Sequence, residues 1–172
     1  MWLSKYTSLE FFPMNLDDLT FDVSQEIEVK AAPGTVFKHM TSQLSQIAGG
    51  DEKPMDFVLE EWPGGRWFRD LGNGQGHFWG LVQVIKPPTL LEITGPLMMS
   101  YPVSGHVQFR LTQIAGGTLL TLRHRALGMI DPNHREGVNK GWAQILEKIK
   151  AGSEKYLVRS PGGEKEWNTN FR

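Results

Sequence analysis

An apolar stripe at helical spacing near the C-terminal end constrains the fold more than any other feature. The stripe consists of Val138, Trp142, Ile145, Ile149, Gly152 and Tyr156. Steps of three and four residues place these positions on one face of an α-helix. Asp131-Pro132 is a helix start, because Asp caps free backbone N–H groups and Pro suits the first helical position. The sequence therefore predicts a helix over about 131–157, roughly 35–40 Å long, which can lie across a whole sheet.

Glycines interrupt this predicted helix. Gly137 and Gly141 lie one turn apart, and Gly152 follows further on. Each costs about 1 kcal/mol relative to Ala inside a helix, so each needs a structural reason. Either the helix backbone touches a neighbouring strand closely, or the missing side chains leave room between helix and sheet. The sequence leaves both interpretations open.

The preceding chain has the pattern of a β-sheet. Residues 21–29 alternate between apolar and polar, and residues 33–44 bring apolar side chains to one helical face behind Pro33. Short apolar segments closed by turn residues follow, and they predict strands at about 55–62, 66–71, 77–85, 89–94, 106–114 and 118–126. Such short, regular intervals are typical of an antiparallel meander.

These elements predict an α+β fold. We expect a curved antiparallel sheet of six or seven strands, one long C-terminal helix across it, and a short helical region after the first strand. Residues 21–159 are predicted to form this domain. Residues 1–20 are predicted to be an arm packed on it, because Leu9, Phe11 and Phe12 are too apolar for a free tail. Residues 160–172 are predicted to be a mobile tail.

Composition limits the partners. The chain has 172 residues, with 18 basic and 19 acidic side chains and a formal charge of −1. Without a field of one sign, a nucleic acid is not an expected partner. No apolar run is long enough to cross a bilayer, so we expect no membrane insertion. The chain has no cysteine, which fits a reducing interior, and we predict a cytoplasmic protein.

The sequence predicts neither a metal site nor a cofactor. Its five histidines form no HExxH-type pair, and there is no cysteine to complete a tetrahedral site. His39 and His134 are expected to be exposed on helical faces. The glycines in 72–76 precede a strand rather than a helix, so they predict a hairpin turn instead of a phosphate loop.

His124 differs from the other histidines. It continues the alternation of Leu120 and Leu122 and should share their face of the sheet. It is either a polar group on the wall of an apolar cavity or a hydrogen-bonded core residue. The sequence does not decide between these alternatives.

Four motifs carry a family resemblance. They are Gly64-Gly65-Arg66-Trp67, the strand end 84–88, the strand 117–124, and Gly141 to Leu146 in the long helix. Over about 21–157 the chain resembles the START-like superfamily (SRPBCC, helix-grip), and within it the homologues of the activator of heat-shock protein 90 ATPase. The resemblance implies a helix-grip fold around an apolar cavity. Functions in this superfamily include lipid and hormone carriage, cyclase chemistry and chaperone contact, and fold alone does not choose among them.

The predicted function is binding of a small apolar ligand (lipid, polyketide or aromatic type) between sheet and C-terminal helix. The predicted lining is Phe57, Trp67, Trp79, Phe109, Leu122, His124, Trp142 and Leu146, with Met98 and Met99 near an entrance. One rival is a cyclase- or dehydratase-like enzyme in the same cavity, with His124 or Tyr101 as acid or base. A second rival is a chaperone-interacting module, and a homodimer is a further predicted assembly.

Overall fold

The computed structural model describes residues 15–47, 55, 57–97 and 99–158, with only the backbone described for 156–158. The elements in chain order are α1 (Leu16–Leu19), β1 (Thr20–Val29), α2 (Pro33–Leu44), β2 (Phe57–Leu59), β3 (Arg66–Gly72), β4 (Gln75–Lys86), β5 (Leu90–Gly95), β6 (Val103–Ile114), β7 (Gly117–Gly128) and α3 (Pro132–Val158).

The strands form one antiparallel sheet in the order β1-β7-β6-β5-β4-β3-β2. Strands β2 to β7 form a meander, and β1 pairs with β7 at the far edge. The sheet curves around α2 and α3, which cover its concave face. This architecture confirms the predicted α+β helix-grip fold, with seven strands in the described part of the chain.

The β3–β4 turn confirms the hairpin interpretation of the glycine-rich segment. Asn73 and Gly74 have φ of 52° and 72°. Two-residue type I′ turns require positive φ at both central positions, and Asn-Gly is the sequence that adopts them most readily.

The two faces of the sheet differ in chemistry. Leu91, Val107 and Phe109 point from β5 and β6 into the core and are fully buried. The convex face carries ion pairs, which include Arg123 and Arg125 on Asp22 at 2.8 and 3.2 Å, and also exposed apolar side chains such as Leu81 and Leu127. The buried apolar core therefore lies on the concave face of the sheet.

Helix α3 begins as the sequence predicts. The Asp131 carboxylate accepts a hydrogen bond from the backbone N–H of Asn133 at 2.8 Å. Nearly two turns further along, Gln25 of β1 donates a hydrogen bond from Nε2 to the backbone oxygen of Asn139 at 2.8 Å. The helix is thereby fixed against the edge of the sheet.

The N-terminal segment is described only from residue 15. Arg135 of α3 donates hydrogen bonds from Nη2 to the backbone oxygens of Asp17 and Asp18, at 2.9 and 2.7 Å, which hold α1 against the first turns of α3. The predictions for most of the arm (1–14) and for the tail (160–172) lie outside the described residues. Among the described helices, none is long and apolar enough to span a lipid bilayer.

Candidate ligand-binding site

A groove of about 240 Å³ runs along one flank of α3. Its lining is Ile47, Met55, His134, Gly137, Val138, Gly141, Trp142, Gln144, Ile145 and Lys148. We call this surface the α3 groove. Most of its exposed lining is apolar, with Gln144, Lys148 and His134 as the polar side chains.

The two helical glycines border this groove. A Cβ added at Gly137 or at Gly141 would meet no atom within 4 Å, so the space beside both is open. Close contact with a strand is therefore the wrong interpretation for this pair. The predicted location also needs correction, because the space lies on the flank of α3 that faces Ile47 and Met55, not between helix and sheet.

The third helical glycine has a different role. A Cβ at Gly152 would lie 3.2 Å from Nδ1 of His39, so α2 and α3 approach closely there. The contact is between two helices rather than between helix and strand. His39 is half-buried, not exposed as predicted.

A tyrosine–histidine pair lies at one end of the α3 groove. The Tyr101 hydroxyl is 2.8 Å from Nδ1 of His134, and the rings meet edge to face at 5.6 Å. The pair joins the β5–β6 connection to the first turn of α3. Burial raises the pKa of the Tyr101 phenol above its ordinary value, so the phenol is protonated at neutral pH. His134 was expected to be exposed; it is half-buried because Tyr101 packs on it.

Trp142 separates the α3 groove from the interior. Its indole packs edge to face on Phe109 at 5.7 Å and is almost fully buried. Its Nε1–H donates a hydrogen bond to Nδ1 of His124 at 2.9 Å. One residue thus contributes to the wall of the groove and also fixes a polar side chain in the core.

His124 is a buried, neutral imidazole. Because Nδ1 accepts from Trp142, the proton of the neutral ring is on Nε2. Nε2 has no partner among the described residues, and the side chain is fully buried. Desolvation lowers the pKa of His124 to about 4, and the nearby His106 and His134 add to this effect. At neutral pH the residue is a hydrogen-bond donor through Nε2 and a poor base.

Residues 30–154 match the family model described as "Activator of Hsp90 ATPase homolog 1-like protein". The chain belongs to this family. The match confirms the resemblance predicted from the sequence. No curated protein matches the chain significantly.

Solved structures share the fold at low sequence identity. An uncharacterised protein from Rhizobium leguminosarum superimposes with a TM-score of 0.63 at 16% identity, covering 79% of this chain and 95% of its own. The di-domain ARO/CYC StfQ from the steffimycin biosynthetic pathway gives 0.60 at 16%, covering 83% and 54%. The Aha1 dimer from Colwellia psychrerythraea gives 0.57 at 18%, covering 77% and 96%.

The predicted lining residues fall into two groups in this family member. Phe57, Trp67 and Trp79 form an aromatic cluster, with ring centroids 4.2 Å apart for Phe57–Trp79 and 5.4 Å for Trp67–Trp79. Trp67 donates from Nε1 to the backbone oxygen of Leu44 at 3.0 Å. It therefore satisfies an end carbonyl of α2, and none of the three lines the α3 groove.

The second group lies between the sheet and α3. Its members are all buried: Phe109, Leu122, His124, Trp142 and Leu146. Met99 is buried as well, and Met98 lies outside the described residues. Of the described predicted residues, Trp142 is the one that lines the α3 groove.

Sequence reasoning missed the opposite wall of the groove. Ile47 follows α2 and Met55 precedes β2, so only the tertiary fold brings them beside α3. The spacing of Gly137 and Gly141 was the available signal, and it marked the correct helix flank. Ile145 and Val138 were assigned to the helix stripe, but not to a binding surface.

Two described carboxylates on the sheet, Glu60 and Glu92, are held by neighbouring side chains. A bidentate side-chain hydrogen bond from Arg66 lowers the pKa of Glu60 to about 2. Glu92 lies on the convex face and accepts a hydrogen bond from Gln108 at 2.6 Å. Neither lines the α3 groove.

Proposed function

We propose that this domain binds a small, mostly apolar molecule in the α3 groove. The observation that carries the proposal is the open space beside Gly137 and Gly141, next to the apolar wall formed by Trp142 and Ile145. Two glycines one turn apart weaken a helix by about 1 kcal/mol each relative to Ala. A groove that needs the space gives a reason for that cost.

The groove limits the size and polarity of the ligand. Its volume of about 240 Å³ lies just below the range of roughly 300–1,000 Å³ typical of small-molecule pockets. It therefore suits a one- or two-ring molecule, or one end of a larger one. The apolar side chains would bury the body of the ligand, while Lys148 and Gln144 offer hydrogen-bond donors to a polar substituent.

Within the predicted classes, these dimensions favour an aromatic or polyketide-type ligand over a long lipid chain. The fold shared with ARO/CYC StfQ is in keeping with that preference. Binding here would use shape and apolar area, with one or two polar contacts for orientation.

Solution NMR with a neutral aromatic probe tests the location. On addition of N-phenyl-1-naphthylamine, the backbone amide signals of Gly137, Val138 and Gly141 should shift in a saturable way. The amide of Arg123, on the convex face, should not shift. Saturable shifts confined to another surface, or no shifts at all, would contradict the proposed site.

An enzyme at the same groove is the second candidate, and the Tyr101–His134 pair favours it. A protonated phenol held 2.8 Å from an imidazole nitrogen can act as a general acid. The Tyr101→Phe variant decides between the candidates. A carrier should retain probe affinity and have no turnover to lose, whereas a cyclase or dehydratase should lose turnover of a polyketide-like substrate.

The chaperone contact and the homodimer rest on family likeness. The matched family is named for an activator of the Hsp90 ATPase, and one structural neighbour is described as an Aha1 dimer. A stable complex with heat-shock protein 90 at physiological salt would place chaperone contact ahead of ligand binding. Sedimentation equilibrium of the purified chain tests the dimer.

A further inference from the structure

Strand β1 lies at the edge of the sheet and pairs with β7 on one side only. It is ten residues long, Thr20–Val29, and its register with β7 is continuous. A long edge strand without irregularities presents a row of unpaired backbone N–H and C=O groups, which is a template for a further strand. The outer side of β1 is therefore a surface at which another chain can pair.

Two hydrogen bonds show which residues of β1 direct their backbone groups outwards. Arg135 of α3 donates to the backbone oxygen of Thr20 at the start of β1. Just after β1, the N–H of Lys30 donates to Oε1 of Glu154, also on α3, at 3.0 Å. Because the backbone groups of an antiparallel strand point alternately towards and away from the paired strand, the even-numbered residues in between also point away from β7. These residues are Asp22, Ser24, Glu26 and Glu28.

Between these two contacts with α3, the outer side of β1 is open in the described part of the chain. No backbone hydrogen bond joins residues 22–28 to a described segment other than β7. An open groove of about 500 Å³ lies beside the first half of this stretch. Its lining is Phe21, Asp22, Val23 and Ser24 from β1 and Arg135, Glu136 and Asn139 from α3. This β1 groove shares no lining residue with the α3 groove.

The charges along this strand are acidic. Residues 15–29 contain five acidic side chains and no basic one. Asp22 is held by arginines of β7. Glu26 and Glu28, by contrast, are exposed, lie opposite uncharged residues of β7, and form no ion pair with any described residue. Two carboxylates at the open edge are therefore left for a partner.

A second copy of the chain is a poor partner for this edge. Antiparallel pairing of residues 22–28 with the same residues of another copy puts Asp22 opposite Glu28 twice over. Like charges directly opposite each other destabilise a sheet, whereas opposite charges stabilise it. The edge therefore favours a strand with basic side chains.

We propose that the outer side of β1 is a docking site for an extended peptide segment of another protein, one that carries two basic residues two positions apart. The segment pairs with residues 22–28 as a further strand, with its lysine or arginine side chains beside Glu26 and Glu28. The backbone hydrogen bonds supply affinity, and the charge pairs fix the register. The α3 groove is not involved, so the inference does not depend on the proposed function.

Amide hydrogen exchange of the full chain tests the open edge. In the free protein, the amides of Ser24 and Glu26 should exchange rapidly, whereas those of Val23 and Gln25, which face β7, should be protected. The probe is a capped peptide of threonine and valine with two lysines two positions apart. Its saturable binding should protect the amides of Ser24 and Glu26 as well.

Two control peptides separate strand addition from charge attraction. In the first, methyl groups replace the N–H hydrogens that would bond to β1, and the lysines are unchanged. This peptide should bind at least about tenfold more weakly, because it cannot donate to the edge. In the second, glutamates replace the lysines, and we expect no binding.

The Glu26→Gln/Glu28→Gln double variant tests the charges. Both side chains are exposed, so the fold should be kept. Affinity for the lysine peptide should fall about fivefold, the effect expected of two exposed charge pairs. The matched control is Glu61→Gln/Glu147→Gln, which removes the same charge from exposed positions outside β1 and should bind as the wild type does.

Three results would overturn the inference. The first is equal affinity for the lysine peptide and its N-methylated form, which would leave charge attraction alone. The second is equal affinity of the two double variants for the lysine peptide. The third is protection of the Ser24 and Glu26 amides in the free protein, which would mean that the edge is already paired. Its partner would be residues 1–14 if their removal restores rapid exchange, or a second copy if dilution does.

Discussion

Trp142 and His124 form a buried hydrogen bond of 2.9 Å between the indole nitrogen of α3 and Nδ1 of the imidazole on β7. This bond ties the long helix to β7, the strand next to the β1 edge of the sheet. It also determines which nitrogen of His124 carries the proton, and with it whether His124 can act as a donor or as a base.

Trp142→Phe should remove the bond and leave both ring nitrogens of His124 without a partner among the described residues. We expect a loss of about 1–3 kcal/mol in the free energy of unfolding, measured by urea denaturation. In addition, nitrogen NMR should show a mixture of the two imidazole tautomers.

The control for this prediction is Trp67→Phe, which also loses one buried indole hydrogen bond, to the oxygen of Leu44. It should cost a similar free energy but leave His124 in a single tautomer. An unchanged tautomer in Trp142→Phe would show that the indole does not fix the imidazole.

Stability should depend on pH through His124. In the unfolded chain this residue takes up a proton near its ordinary pKa of 6.5, but in the folded protein only near 4. Between these values the unfolded state binds more protons, so stability falls as the pH drops from 6.5 towards 4. The contribution of His124 to the free energy of unfolding is about 3 kcal/mol at most. It is fully present above pH 6.5 and is lost as the pH falls towards 4.

The His124→Phe variant isolates this contribution, because the other titrating groups are common to both proteins. Its free energy of unfolding, followed by denaturant titration at several pH values, should fall less steeply than that of the wild type. Parallel curves for the two proteins would mean that His124 is protonated in the folded state as readily as in the unfolded chain.

Much of the fold was predictable, because periodicity and turn residues report local structure directly. Pro33 and Leu44 bound α2 as predicted, and Asp131-Pro132 starts α3. The site was less predictable. Alternation predicted that His124 shares a face with Leu120 and Leu122, but it did not show which buried side chains fill the core and which border open space.

The helical glycines are predicted to respond differently to the same substitution. Gly137→Ala should stabilise the protein by up to about 1 kcal/mol, because a Cβ there meets nothing within 4 Å. Gly152→Ala should gain less or lose stability, since its Cβ would lie 3.2 Å from His39. Thermal unfolding of both variants checks this; equal gains would mean that α2 and α3 are not in close contact there.

Tyr101→Phe should loosen the end of the α3 groove. The hydroxyl bond to His134 is partly buried, and its removal should cost about 1 kcal/mol. Amide hydrogen exchange should become faster in the first turn of α3, whereas the amides at Ile149 should be unaffected. Unchanged exchange at His134 and Arg135 would show that the pair does not hold the helix end.

The most direct test of ligand binding in the α3 groove is a fluorescence titration of the Gly141→Leu variant with N-phenyl-1-naphthylamine. The added side chain would point into open space, so the variant should fold with an unchanged or slightly higher melting temperature. It should lose at least about tenfold in probe affinity, since the leucine takes up part of a groove of only about 240 Å³. Ala143→Leu, exposed on the same helix outside the groove, is the matched control and should bind as the wild type does. Equal probe affinity in Gly141→Leu, Ala143→Leu and the wild type would contradict ligand binding in the α3 groove.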